Sequence, residues 1–505
     1  MNPKLHSNRE LNDYSINDSF DFLTKAEAIK IFLEQNSASL EENKMIILYG
    51  DWGSGKTSLM RHIANTIEPI IYKPIFFQAW EHEKDENLAL SLCDALIEAL
   101  DDKTSEIVKS FMKGALLTLK GFTNAVTFKS SHLLEKLGLE FEFSGEKFNE
   151  AIDKAFEKGH EPSFYVNNKE FKASFLAIEE QILKKYESQK LLIFIDDLDR
   201  CEPENVLNLI TALKLFFTYG KRSVFFCGID KEAVTKAVKT KYKDVVKSEE
   251  YMEKVFDIAF SMPKTFSITK LLEPYFPGET VLRDGRPIKN TILIESFFNT
   301  IRFTNPRHLK KVLNKYEIIK SFKALSAISE NTRKLIPDII VEKNKGNTFE
   351  TIYCLFIILL YEFHLEDFTE LENYEEKILK YIEPSIEFHK LSSSSPVNYD
   401  STATNLRQRY FVTDHTKTSL STLFANRGNA HSFSFTKFLF LFSHSEIKYL
   451  AYIHDNDLTG YDRSFNDTRL LTSYCKFLIK YKEEVISSAS DYPIWNLFEM
   501  VKYLL

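Results

Sequence analysis

The chain has 505 residues and a formal net charge of −7, a length that suggests two to four domains and a charge that excludes the global basic signature of a dedicated nucleic-acid binder, leaving only a local basic groove open. Apolar residues make up 44% and charged residues 27%, the balance of an ordinary soluble protein, and 43 Phe with 23 Tyr against 15 Gly favour a helix-rich, well-packed body. Five scattered cysteines (Cys93, Cys201, Cys227, Cys354, Cys475) with no CxxC pair or metal-ligand spacing read as reduced thiols of a cytoplasmic protein.

Residues 1–21 are polar and carry no apolar core of the kind a secretory signal needs. A helix is expected over 20–34, with Phe22, Ala26, Ile29 and Leu33 at helical spacing. Met45-Ile46-Ile47-Leu48-Tyr49 is a continuously apolar run, the pattern of a strand buried on both faces of a parallel sheet. It leads into Gly50-Asp51-Trp52-Gly53-Ser54-Gly55-Lys56-Thr57 and then a helical pattern with Leu59, Ile63 and Ile67 on one face. Residues 74–80 read as a second strand and 87–100 as an amphipathic helix. From 101 to 169 the signals weaken, as in an insertion. A helix over 171–185 precedes the apolar strand 191–195, which ends in Asp196-Asp197-Leu198-Asp199-Arg200. Pro203 suits the first turn of the next helix. Residues 223–228 and 255–260 complete the strands, and strands alternating with helices argue for a parallel sheet covered on both sides. Beyond 264 the pattern is mostly helical, with Asn305-Pro306-Arg307 opening one helix and a Ser/Thr/Asn-rich stretch over 391–434. The longest apolar run, 352–361, falls short of the roughly 20 residues a membrane helix needs, so no transmembrane segment is expected.

A strand that feeds a Gly-rich turn opening a helix aims backbone N–H groups and the helix dipole at one point, a ready anion site. The turn residues Gly50, Asp51, Trp52, Gly53, Ser54 and Gly55, with Lys56, Thr57 and Ser58 at the helix start, are the expected triphosphate cradle. Lys56 is placed to reach the β- and γ-phosphates and Thr57 to ligate magnesium. Asp196, at the carboxyl end of a buried strand, is placed to hold the magnesium shell opposite Thr57. Asp197 is then the candidate to orient the attacking water, with Asp199 as its alternative. Phosphoryl transfer also wants a cation for the developing charge. Arg200, Arg302 and Arg307 are candidates, Arg307 the best placed because Asn305-Pro306 fixes it at a helix start. Asp230, just past a strand end, is either a γ-phosphate sensor or the N-cap of the helix it precedes. Lys231, Lys236, Lys239, Lys241, Lys243 and Lys247 read as a solvated helix face.

Taken together these residues resemble the KAP family of P-loop NTPases. The resemblance runs through the Trp inside the P-loop, Ala79-Trp80-Glu81 continuing into Glu83, the block Ile195-Asp196-Asp197-Leu198-Asp199-Arg200-Cys201, Gly228-Ile229-Asp230, and Asn305-Pro306-Arg307-His308-Leu309. It implies an additional-strand sheet, with the strand carrying Asp230 between the P-loop and Asp196 strands. It also implies ATP and Mg2+ as ligands, hydrolysis, and separately encoded effector proteins of an anti-phage defence system as partners. Neighbouring subunits often complete such sites, so a homo-oligomer is expected. The expected organisation is a lead and helix over residues 1–40, a P-loop NTPase core over 41–265 with an insertion at 101–169, a helical lid region over 266–330, and a mostly α-helical C-terminal domain over 331–505.

Overall fold

Polar residue Asp18 sets the first helix in place. Its carboxylate accepts the backbone N–H groups of Phe22 at 2.9 Å and Leu23 at 2.8 Å, satisfying donors that a helix start leaves without partners. Helix α1 (Leu23–Gln35) then buries the expected Ala26, Ile29 and Leu33. The chain continues through β1 (Met45–Tyr49), α2 (Lys56–Thr66), β2 (Tyr72–Gln78), α3 (Leu88–Glu98), α4 (Glu106–Lys120), α5 (Phe164–Tyr186), β3 (Lys190–Asp196), α6 (Pro203–Leu215), β4 (Ser223–Ile229), α7 (Lys231–Tyr242), α8 (Ser248–Val255) and β5 (Ile258–Ser261). These coordinates are a computed structural model, which describes residues 5–7, 9–15, 17–85, 87–101, 105–120, 164–242, 248–282, 284–324, 348–366, 368–369, 470, 473, 474, 477, 480, 481 and 495–505. Residues 121–163 of the expected insertion, Lys243 and Lys247 of the basic run, Cys475, the stretch 391–434 and most of the expected C-terminal domain lie outside the described residues.

Two compact units emerge, one spanning Arg9–Phe266 and the other combining Met1–Asn8 with Ser267–Leu505. The first is built on a five-stranded sheet of order β2-β3-β4-β1-β5, parallel at every pairing. Strand β4 thus lies between the P-loop strand β1 and the acid-bearing strand β3, the additional-strand arrangement the resemblance implied. All seven residues of β3 and of β4 are buried, because helices cover both faces of the sheet. Ile47, Ile193, Ile195, Phe225 and Cys227 enter one core with residues of α3, α5 and α6. On the opposite face Phe194 stands between Phe76 and Phe226, ring centroids 5.7 and 5.5 Å away. Truncating such a fully buried ring costs about 3–5 kcal/mol. Strand β2 begins two residues before Pro74, where the expected strand started. A proline is tolerated there because β2 is an edge strand with one unpaired side.

A buried carboxylate also fixes the start of β4. Glu179, 1% exposed, accepts the N–H groups of Lys221 and Arg222 at 3.1 and 2.9 Å and the Ser223 hydroxyl at 2.6 Å. Its charge is fully matched by donors, which is what burial of an acid requires.

Among its described residues the second unit is helical apart from one small hairpin. It contains α9 (Thr269–Leu272), antiparallel β6 (Glu279–Val281) and β7 (Pro287–Lys289), α10 (Asn290–Thr300), α11 (Pro306–Ala324), α12 (Thr348–Phe363) and α13 (Trp495–Leu504). The hairpin departs from the helical expectation, since three-residue strands are too short to show alternation. Asn305 caps α11 as expected, its Oδ1 accepting the Arg307 N–H at 3.0 Å and the His308 N–H at 3.3 Å. The inward face of α11 holds Leu309, Val312, Leu313 and Tyr316, all buried. Helix α12 contains the longest apolar run but has only 16 residues. Among the described residues no helix is long and apolar enough to cross a membrane.

Candidate functional site

Six residues turn the chain from the end of β1 into α2, and glycine permits the turn. Gly53 and Gly55 hold φ of 81° and 98°, the left-handed region that L side chains rarely adopt. Gly50 meets a different demand: a Cβ there would stand 2.5 Å from Ser54 Oγ and 2.6 Å from Met262 Cγ. The loop is pinned to the neighbouring strand, with Gly50 N–H donating to the Ile229 carbonyl at 3.1 Å. Asp230 pins it again, one carboxylate oxygen accepting the Trp52 N–H at 3.0 Å while the other accepts the Glu232 N–H at 2.9 Å. Asp230 therefore caps α7, as one of its two readings had it, and braces the P-loop at once. The first-turn N–H groups of α2 have no intrahelical acceptors, and together with the dipole they make its start an anion site.

Lys56 lies within this cradle. Its ammonium donates to the carbonyls of Gly50 at 2.9 Å and Asp51 at 3.3 Å, and it faces Asp199 Oδ2 at 3.7 Å, with the two side chains only 6% and 5% exposed.

Asp196 is the electrostatic anomaly of the sheet. It is fully buried, yet neither carboxylate oxygen has a hydrogen-bond partner. Burial raises its pKa from the ordinary 3.8 to about 6, and Asp197 adds to the rise, while the nearby Thr57 hydroxyl and Lys56 pull it down. Gly228 on β4 lets the carboxylate pack closely, since a Cβ there would lie 3.1 Å from Asp196 Oδ1. An unmatched buried carboxylate beside a threonine hydroxyl at a P-loop fits a divalent cation, as hard oxygen ligands do. Among the described residues no cluster of three or more His, Cys, Asp or Glu could hold a metal alone. A cation here would take its remaining ligands from phosphate oxygens and water.

The other acids are engaged differently. Asp197 adopts φ 58° and ψ 26°, an uncommon left-handed conformation for a residue with a side chain. Its carboxylate pairs with Arg200 Nε at 3.1 Å, and the guanidinium lies over the Trp80 ring, 5.3 Å from the centroid. Burial raises the Asp197 pKa and Arg200 opposes the rise. Trp80 and Trp52 are half exposed, at 51% and 50%.

Ser58, expected in the cradle, turns its hydroxyl to the lead segment, accepting the Leu11 N–H at 3.0 Å. Tyr14 continues the strap along α2, its N–H donating to His62 Nδ1 at 3.1 Å. The other ring nitrogen, Nε2, pairs with Glu27 at 3.1 Å, and Asp13 lies 3.3 Å from Nδ1. Within this unit the structure brings together Gly50, Asp51, Trp52, Gly53, Ser54, Gly55, Lys56, Thr57, Asp196, Asp197, Asp199, Arg200 and Asp230. Arg302 and Arg307 belong to the other unit, Arg302 in a left-handed turn after α10 at φ 57° and Arg307 in the first turn of α11.

Residues 27–322 match the KAP family P-loop domain. The chain belongs to the KAP family of P-loop NTPases. An uncharacterised Methanocaldococcus jannaschii protein, MJ0181, is 30% identical over 263 residues, half of this chain and the whole of that protein. A second protein of that archaeon, MJ0182, also uncharacterised, is 34% identical over 164 residues, 28% of this chain and 84% of its own length. These relatives carry no stated activity. The KAP domain implies nucleotide binding at the P-loop just described.

Two features of the site lay beyond sequence reasoning. The Asp199–Lys56 pair joins residues far apart in the chain, and only the fold brings them together. Glu83 fastens the Trp80 segment to the start of α6 by accepting the Glu202 N–H at 2.7 Å and the Asn205 amide at 3.2 Å. Its one signal was its place in the Ala79–Glu83 segment that carried the family resemblance.

Proposed function

We propose that this KAP domain binds ATP with magnesium and hydrolyses it, and that the cycle serves as a switch or assembly engine in a bacterial complex of the anti-phage-defence type. The single observation that supports hydrolysis best is Asp196: a fully buried carboxylate with no hydrogen-bond partner, which a nucleotide-borne cation would satisfy. In this reading Lys56 binds the β- and γ-phosphate oxygens, and the first turn of α2 and the glycine loop cradle them. Thr57 and Asp196 would hold the cation, which when bound would neutralise charge on the transferring phosphoryl group. Asp230 keeps the loop in shape through the Trp52 N–H. Arg200 and Arg307 are the arginines we assign as candidates for the transition-state charge. The choice of ATP over GTP, effector proteins as partners and a homo-oligomeric state come from the family resemblance.

The test is phosphate release by purified protein with ATP or GTP, with magnesium or with EDTA, beside the Lys56→Ala variant. Release that survives both EDTA and Lys56→Ala would remove the assignment. A second reading, a nucleotide-stabilised scaffold with negligible turnover, is favoured by one observation: Asp197, standing where a glutamate base is usual, is engaged by Arg200. ATP retained without phosphate release, even with lysate from phage-infected cells, would favour that scaffold.

A further inference from the structure

Three aspartates crowd the carboxyl end of β3, and their partners sort them. Asp196 is buried without a hydrogen bond, as a cation ligand would be. Asp197 is held by Arg200 at 3.1 Å. Asp199 sits on the 3₁₀ turn Leu198–Arg200, which Leu198 anchors by being fully buried. Its carboxylate faces the P-loop ammonium at 3.7 Å from inside the protein, 5% exposed. A pair this sheltered is not a surface ion pair, whose worth is small.

We infer that Asp199, rather than Asp197, is the acid that takes the proton of the attacking water, and that in the ligand-free protein it also latches Lys56. This inference rests on the ATPase reading above. An ammonium has three N–H donors; two of those of Lys56 go to the Gly50 and Asp51 carbonyls, and the ammonium faces Asp199 as an ion pair at 3.7 Å. To bind phosphate oxygens Lys56 must exchange some of these partners. A γ-phosphate held by that ammonium then lies next to the carboxylate that held it before, at a separation one water bridges. In the step, the water oxygen forms a bond to the γ-phosphorus while the bond from phosphorus to the β–γ bridging oxygen breaks. The bridging electrons leave with ADP. One water proton passes to the Asp199 carboxylate and from there to solvent, and the other stays on the released phosphate. Asp197 acts instead through Arg200, which it holds over Trp80.

The experiment compares Asp199→Asn, Asp199→Glu and Asp197→Asn in the full chain, reading MgATP affinity by calorimetry, phosphate release, and folding by thermal melting. Asp199→Asn is expected to cut turnover by about 100-fold or more, the usual worth of a positioned base. It should bind MgATP at least as tightly as wild type, because the lysine is released from its carboxylate. Asp199→Glu, which keeps the charge, should recover part of the rate, and Asp197→Asn should lose far less than Asp199→Asn. Turnover that survives Asp199→Asn but collapses in Asp197→Asn overturns the inference and leaves the ATPase intact. Wild-type protein without turnover under any condition removes both.

Discussion

Asp196 carries a charge into a place where burial outweighs what the nearby Thr57 hydroxyl and Lys56 offer it. Its carboxylate is fully buried without a hydrogen bond, and its pKa rises from 3.8 to about 6. At about 1.4 kcal/mol per pH unit, that rise corresponds to about 3 kcal/mol against the folded ligand-free state at neutral pH. The sign follows from linkage: the folded form holds the proton more tightly than the unfolded chain. The penalty is therefore absent below pH 3.8, grows as the pH rises, and is complete above about 6. Asp196→Asn removes the charge at nearly the same volume but leaves an amide short of partners, which costs about 1–3 kcal/mol. The variant should thus exceed wild type in stability by up to about 2 kcal/mol at pH 7.5 without ligand, an advantage that shrinks at pH 5. With magnesium and ATP the order should invert. A ligand at a hundred times its Kd adds about 2.7 kcal/mol, and only wild type has the carboxylate to draw on it. Urea denaturation followed by circular dichroism, at both pH values and with or without MgATP, measures all four quantities. A variant less stable than wild type at pH 7.5 without ligand, or an advantage undiminished at pH 5, would refute this account of Asp196.

Lys56→Ala should weaken ATP binding by about 100-fold or more, since the ammonium is the cradle's point charge for the β- and γ-phosphates; equilibrium dialysis checks this. Gly50→Ala places a methyl 2.5 Å from Ser54 Oγ and 2.6 Å from Met262 Cγ, an overpacking that should lower stability by about 1–3 kcal/mol and distort the loop, seen as a lower Tm together with weaker ATP binding. In the second unit burial, assisted by Lys310, lowers the His6 pKa from 6.5 to about 4. Its contribution is fully present above pH 6.5 and is lost as the pH falls toward 4, so the stability difference between wild type and His6→Gln should change over that interval and level off outside it.

The phosphate cradle was legible because its requirements are local. A both-faces-buried strand needs a continuous apolar run, and the turn needs glycine where φ is positive, so β1, Gly53, Gly55 and Lys56 announce themselves. The position of β4 inside the sheet was not legible from periodicity, which marks a buried strand but not its neighbours; family resemblance supplied the order. The lead segment gave no warning that Leu11 and Tyr14 strap α2, because its bonds run from backbone N–H groups to Ser58 and His62, and any sequence supplies such donors. The aspartate cluster was visible as three acids in four positions. What divides them is the left-handed turn at Asp197 and the partners found across the fold, and neither leaves a mark on residue order.

The half-exposed indole of Trp52 has a practical consequence. The chain has three tryptophans, and two of them report on this site: Trp52 sits in the P-loop with its amide bound to Asp230, and Trp80 lies under the Arg200 guanidinium. The third, Trp495, is in α13 of the other unit. The protein therefore carries its own optical probe. Phosphates filling the loop alter the surroundings of Trp52, and movement of Arg200 alters the quenching of Trp80. Replacing Trp52 or Trp80 by Phe separates the two emissions, so loop filling and arginine movement can be timed independently in a stopped-flow fluorimeter without attaching a dye.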